Sequence, residues 1–573
     1  MQPETVLARA DSMLADGRIP EAVELLQEAR IRHASHAGIA TRLADGLHVA
    51  GHLQEAVSAY AEALRIDDRS ADAHYGLGCA HLTLNSHGAA AAAFTRACDL
   101  APKSGAAHFN LAASLFRLGR IESAISHFER AARLDPELAH RARASIACIV
   151  PGSGGADNAS VQRMRRLWAE EEARRVEREA PNRPRAEFRE SSVPRRSSPG
   201  RSAPGGKLRV GYLSAFFGSR NWMKPVFALI NRHDRSAFEI HMFSDGEPPS
   251  AETGYCDHDG DFVHDLRGAD NDRAAAYIGE IGIDVLVDLN GYSFQSRLPL
   301  VLRRPAPHIV GWFNMFASSG IDAFDWIVGD DAVIPADEEA HYCEKIHRVP
   351  GTYLAFEILY PVPDIVPPPS AASGGGITFG CLGSHYKLTD AVLSSWARIL
   401  TAAPRAVLYI KTAALDDAST RSDLSARLQA RGVDPARVTM EGRSEHFEFL
   451  AAYRHVDIAL DTFPYNGGTT TTEALWQGVP VLAFDGDRWA SRTSKSLLLA
   501  AGLQDWVQPD LTLYENRAVS LARDSATPAM LAGLRSGMRA RLKNSAACDA
   551  DGLRGAMETF YASIAGHSSI AAH

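Results

Sequence analysis

The segment VDIALDTFPYNGGTTTTEALWQGVPVL, Val456 to Leu482, reads as strand, glycine-bearing loop, helix and short strand. A helix N-terminus presents unpaired N–H groups and a partial positive charge, so a glycine turn leading into one suits a diphosphate. Two readings fit the loop at this level. It is a phosphate cradle, with threonine hydroxyls as extra donors and Glu473 one turn further on as a ribose acceptor, or it is a turn N-capped by Thr469 or Thr470. What surrounds the segment decides between them.

On both sides of it, β-rich runs alternate with helical patterns. KLRVGYLSAFF (207–217), FEIHMFSDG (238–246), IDVLVDLNGY (283–292) and HIVGWFNMF (308–316) form one set. ITFGCLG (377–383), AVLYIKT (406–412), RVTMEG (437–442), VDIALDTF (456–463) and VPVLAFDG (479–486) form a second. This alternation predicts parallel sheets with crossover helices. YPVPDIVPPPSAASGGG (360–376) separates the sets, so two α/β lobes are expected, 207–366 and 367–573, with a ligand cleft at the carboxyl ends of their strands.

Upstream the texture is helical and periodic. Ala22, Ala56, Ala90 and Ala124 recur at a spacing of 34, as do Ala29, Ala63, Ala97 and Ala131. Gly17, Gly51, Asn85 and Gly119 keep the same interval, and so do Leu26, Tyr60, Phe94 and Phe128, while Pro102 and Pro136 close the last two units. Residues 1–150 are therefore expected to form four tetratricopeptide repeats, whose stacked helix pairs leave a concave surface for a peptide or partner protein. A dimerisation or spacer module is the other reading of such an array. Within 151–206, VQRMRRLWAEEEARRVEREA (161–180) reads as a solvated, charge-paired connecting helix, and PNRPRAEFRESSVPRRSSPGRSAPGG (181–206) as a flexible linker.

Bulk properties bound the function. The chain has 573 residues, 46% of them apolar and 23% charged, enough for several cores. A formal charge of -9 argues against nucleic acid as a partner. No run of about 18 apolar residues predicts a membrane span, and MQPETVLARADSML lacks the order of a signal peptide. The seven widely spaced cysteines suit free thiols, so a cytoplasmic location is expected. CDHDGDFVHD (256–265) gathers histidines and aspartates, but Phe262 and Gly268 stand where a calcium loop needs glycine and glutamate, so a polar loop is expected and no metal site.

FGCLGSHYKLTDAVLSSWARIL (379–400), the stretch from Arg437 through the Val456 segment to Leu503, and RPAPHIVGWFNMFASSG (304–320) together resemble the catalytic region of the protein O-GlcNAc transferases and SPINDLY-type proteins, glycosyltransferase family 41. That family also carries tetratricopeptide repeats on the N-terminal side. The resemblance implies a two-lobed GT-B fold behind the repeat array, no cofactor beyond a nucleotide-sugar donor, and transfer to Ser or Thr hydroxyls of a protein acceptor bound by the repeats. It implies Lys387 as the cation on the donor diphosphate, Arg443 and His446 as nucleotide ligands, Thr469 and Thr470 at the phosphates and Glu473 on the ribose. Asn110 falls on a groove asparagine, with Ala8, Arg42 and Gly76 at the equivalent positions of the other repeats.

Three departures bear on the sugar. Arg220 stands where the family has a histidine considered for acceptor activation, and arginine does not act as a base near neutral pH. Ala317 replaces a glycine expected to let the donor sit close, and Gly468 replaces a histidine of the animal enzymes. Arg220 is expected to bind a phosphate or an acidic sugar, to be structural, or to mark lost catalysis. UDP-GlcNAc is the default donor, with GDP-fucose or an acidic CMP-sugar as alternatives. The competing readings are a catalytically silent repeat scaffold that senses a nucleotide sugar, and a small-molecule GT-B transferase or sugar-nucleotide hydrolase. The latter should survive deletion of residues 1–150.

Overall fold

The structure, a computed structural model, describes residues 1–179, 206–293, 295–372 and 376–566. The flexible-linker reading of 181–206 falls, but for Gly206, outside the described residues. The N-terminal helices form four pairs: α1 Pro3–Ala15 with α2 Ile19–Arg32, α3 Ala37–Val49 with α4 Leu53–Ile66, α5 Ala71–Thr83 with α6 His87–Leu100, and α7 Gly105–Arg117 with α8 Ile121–Leu134. The periodic alanines are buried, and Leu26, Tyr60, Phe94 and Phe128 fill the space between helices. Each such side chain contributes roughly 1.5–3 kcal/mol on burial. Gly17, Gly51, Asn85 and Gly119 turn the chain at φ of +74°, +82°, +58° and +75°. Only glycine, and asparagine more than most, takes that conformation cheaply.

Helix α9, Pro136–Ile149, extends the array, and α10, Asn158–Glu179, follows it. Contrary to expectation, α10 is no solvated connector. Val161, Arg165, Trp168, Glu172 and Val176 form one buried stripe. Glu172 pairs with His140 at 3.0 Å and with Arg175. Two charged residues on the inward stripe gave the helix the look of a solvent-facing one.

The first lobe is a parallel sheet of seven strands, β1 Leu208–Ser214, β2 Phe238–Ser244, β3 Asp261–Asp265, β4 Val285–Asp288, β5 His308–Gly311, β6 Trp326–Gly329 and β7 Lys345–Arg348. Their spatial order is β3-β2-β1-β4-β5-β6-β7. The second is a parallel sheet of six, β8 Thr378–Cys381, β9 Val407–Lys411, β10 Val438–Glu441, β11 Ile458–Leu460, β12 Val481–Phe484 and β13 Val507–Gln508, in the order β10-β9-β8-β11-β12-β13. Both are doubly wound, and the order reverses between β1 and β4 and between β8 and β11. A helical repeat array followed by two α/β lobes is the architecture expected for the GT-B fold.

The lobes share one hydrophobic core, and the division at residue 366 fails for the last helix. Ala550–Ile564 belongs by sequence to the second lobe but packs on the first, where Phe560 stacks on His347 at 4.0 Å and Glu558 accepts from His233 at 3.0 Å. The array is docked as well. Phe116 stacks on Tyr386 at 5.0 Å, Arg427 donates to the Leu118 carbonyl at 2.6 Å, Ala89 N–H donates to Ser419 Oγ at 3.0 Å, and Arg120 pairs with Asp423. Among the described residues no helix is long and apolar enough to cross a membrane, and no three metal-ligating side chains converge.

Candidate active site

The reversal between β8 and β11 places two loops side by side. Lys387 ends the short turn His385–Lys387 that follows β8, and the glycine-threonine loop follows β11. Lys387 Nζ donates to the Asn466 carbonyl at 2.8 Å and lies 4.4 Å from the centre of the Tyr465 ring. Desolvation pulls its pKa down to about 8, against the pull of the Asp461 and Cys381 side chains. Asp461, which sequence reasoning passed over, holds the loop by accepting from the N–H groups of Thr462 at 3.0 Å and Gly467 at 2.9 Å. Burial raises its carboxyl to about 6. A Cβ on Gly467 would stand 2.5 Å from Thr471 Oγ1, so any larger residue there would force the threonine side chains to move.

The helix that begins here runs Thr469–Trp476, with Gly468 as N-cap and no side-chain capping bond. The capped-turn reading is thereby overturned. Thr469 and Thr470 are the first helical residues, partly exposed, and the start of the helix is left open to an anion. Gly468 shares that partial exposure.

Glu473 is buried one turn in and pairs with Lys224 Nζ at 3.1 Å, both side chains 1% exposed. Lys224 opens the first-lobe helix Lys224–Ile230, and its place in NWMKP, at the start of that helix, was its only sequence signal. Burial raises the Glu473 carboxyl and lowers the Lys224 ammonium, and each partner opposes the other's shift. His446, at the start of His446–Ala451, has its pKa lowered to about 4 by burial and by the charges of Lys224 and Arg220. Its ring meets that of Tyr360 at 5.3 Å.

The other sequence candidates lie outside this core or are otherwise engaged. Arg220 pairs with Glu252 at 2.9 Å at the surface of the first lobe. Arg443 is exposed, and its backbone N–H donates to Asp416 at 3.0 Å. Asn110 lies in the array, where its amide donates to the Tyr75 hydroxyl at 3.1 Å.

The first lobe approaches through the loop 313–320, where Phe313 and Phe316 adopt φ of +72° and +56°. Non-glycine residues in that region cost about 1–3 kcal/mol and need outside support. Arg165 supplies it, donating to the carbonyls of Met315 at 3.0 Å, Ala317 at 3.3 Å, Ser318 at 2.8 Å and Ala147 at 3.2 Å. The loop carries Phe316 to 5.1 Å from Tyr465, beside Lys387. Ala317 is buried among residues of the last repeat, α9 and α10. Its methyl packs within the array's hydrophobic cluster.

A model of glycosyl transferase family 41 matches residues 193–358 and 373–550, and a tetratricopeptide repeat model matches 7–71, 41–105 and 75–139. The chain is 30% identical over 364 residues to a probable UDP-N-acetylglucosamine–peptide N-acetylglucosaminyltransferase SPINDLY of Solanum lycopersicum, covering 62% of this chain and 38% of that protein. For its Arabidopsis thaliana counterpart the figures are 30% over 362 residues, 62% and 39%. The chain thus spans about 38% of the length of these curated relatives. A solved variant of the Thermobaculum terrenum O-GlcNAc transferase superposes with a TM-score of 0.74 at 29% identity, covering 94% of this chain and 99% of that one. With the family model spanning both lobes, and with the repeats and the strand order that house the site in place, the chain belongs to glycosyltransferase family 41.

Proposed function

We propose that the chain is a protein glycosyltransferase that moves a sugar from a nucleotide donor to a Ser or Thr hydroxyl of an acceptor protein recruited by the repeats. The observation that carries this is the convergence of Lys387 and the uncapped helix start at Thr469, on adjacent loops at the strand-order reversal. In the step, the acceptor oxygen bonds to the anomeric carbon while the bond from that carbon to the diphosphate oxygen breaks. The electron pair leaves with the diphosphate, where Lys387 and the N–H groups of Thr469 and Thr470 stabilise the growing charge.

Arg220 is not the base, and the hydroxyl proton passes to water or to a donor phosphate oxygen. His446 and Glu473 hold the nucleoside, and Arg443, exposed outside this core, is assigned to it by the family resemblance alone. The positive charge at the phosphates comes from protein groups, so transfer proceeds without a metal cofactor. The names of the relatives support UDP-GlcNAc as donor; GDP-fucose and acidic CMP-sugars are the other donors to try. The seven unpaired cysteines support a cytoplasmic setting.

Purified protein incubated with labelled UDP-, GDP- and CMP-sugars and lysate tests the proposal. One donor should label protein in the presence of EDTA, and Lys387→Met should cut labelling about a hundredfold or more. No labelling from any donor, or a Lys387→Met variant as active as the parent, would sink it. The Arg220–Glu252 ion pair favours one second reading, a structural arginine in a silent nucleotide-sugar scaffold, and the same experiment separates the two.

A further inference from the structure

Lys224 and Glu473 come from different lobes, 249 residues apart in the chain, yet meet in a fully buried ion pair. The pair uses only one carboxylate oxygen. Among the described residues Glu473 Oε2 has no hydrogen-bond partner, and neither has Nε2 of His446 nor the hydroxyl of Tyr360, all buried. These three residues belong to one neighbourhood: His446 and Tyr360 share a ring contact, His446 feels the charge of Lys224, and Tyr360 feels that of Glu473. A purely structural ion pair would have its remaining lone pairs satisfied, because unmet buried polar atoms are costly. An acceptor oxygen, an imidazole nitrogen and a phenol hydroxyl left open together match a ligand rich in hydroxyl groups.

We propose that Lys224 is a positioning residue for the donor's ribose. By holding Glu473 Oε1 from across the cleft, it fixes the carboxylate so that Oε2 accepts the ribose hydroxyls when the lobes are closed. The proposal rests on the reading of the second lobe as a nucleoside-diphosphate site. Its consequence is that the first lobe takes part in recognising the nucleotide and not only the acceptor. A plain interlobe latch, by contrast, would weaken every ligand equally.

The test is calorimetric titration of the intact chain with UDP and GDP and with their 2′,3′-dideoxy forms. The parent should prefer the ribose form of its nucleotide by about tenfold or more, the expected worth of hydrogen bonds to a charged acceptor. In Lys224→Met that ratio should fall to about one, and in Lys224→Arg it should stay within about threefold of the parent. Lys224→Gln, which keeps a donor toward Oε1 without the charge, serves if thermal melting shows the Met variant unfolded, and its ratio should fall below about three. A neutral variant that keeps the parental ratio overturns the proposal, including the case where both nucleotide forms weaken equally. A parent that binds no nucleoside diphosphate removes the functional reading itself, and this inference with it.

Discussion

The last repeat packs against the Lys387 turn of the proposed donor site, and two glycines test whether that contact matters. Gly51 and Gly119 occupy the same turn of different repeats, at φ of +82° and +75°. Alanine at either position pays the left-handed penalty of about 1–2 kcal/mol. At Gly51 a Cβ meets nothing within 4 Å, whereas at Gly119 it stands 2.5 Å from the Leu388 carbonyl oxygen and 2.9 Å from its carbon. Those atoms are backbone, directly after Lys387, and do not swing aside as a side chain would. Relieving the overlap adds about 1–3 kcal/mol of overpacking and shifts the Lys387 turn by several tenths of an ångström or more. A misplacement on the order of 1 Å costs about a hundredfold in rate.

Gly51→Ala and Gly119→Ala should therefore both lower the melting temperature, but only Gly119→Ala should weaken donor binding and labelling, by about 10- to 100-fold. Titration with UDP and GDP together with the labelling assay reads the difference. Equal donor affinity and turnover in the two variants would refute the claim that the array braces Lys387. The same contact undoes the deletion experiment suggested by the sequence. Removing residues 1–150 exposes the Tyr386 face, so it should disable even transfer to a small acceptor.

Two further outcomes are expected. Lys387 titrates at about 8, below its ordinary value because it is desolvated, so it is an ammonium below that pH and an amine above it. Donor affinity should thus be flat below pH 8 and fall by up to about tenfold per unit above it, while Lys387→Met should show no such break in titrations from pH 6 to 9.5. Arg165→Met removes three backbone-carbonyl contacts to the 313–320 loop and one to Ala147 of α9, together with a cation–π contact at 4.1 Å to Tyr292. It should cost about 3–5 kcal/mol in denaturant melts, whereas Arg166→Met on the exposed side of the same helix should cost under about 1 kcal/mol.

The repeats were legible because their signal is local and periodic: every 34 residues the same small, bulky and turn residues return, and each finds the same burial. The α/β alternation and the glycine turn leading into a helix at Thr469 were legible for the same reason, since strand, turn and helix are contiguous in sequence, whereas the choice between a capped and an open helix start was not. Lys387 and Thr469 could be paired only through the family resemblance, because 82 residues separate them and the strand order brings them together.

What the sequence determined by itself is each element and its repeat period, for these follow from backbone preferences and from burial within a few residues. The tertiary structure alone decided that Glu473 is held by Lys224, that Arg165 turns inward, that Ala317 faces the array and that the fourth repeat abuts Lys387. Each of these joins surfaces from separate units. A charge or a methyl group carries no local mark of which distant surface will bury it; that is settled only when the packed lobes and array exclude water from the space between them.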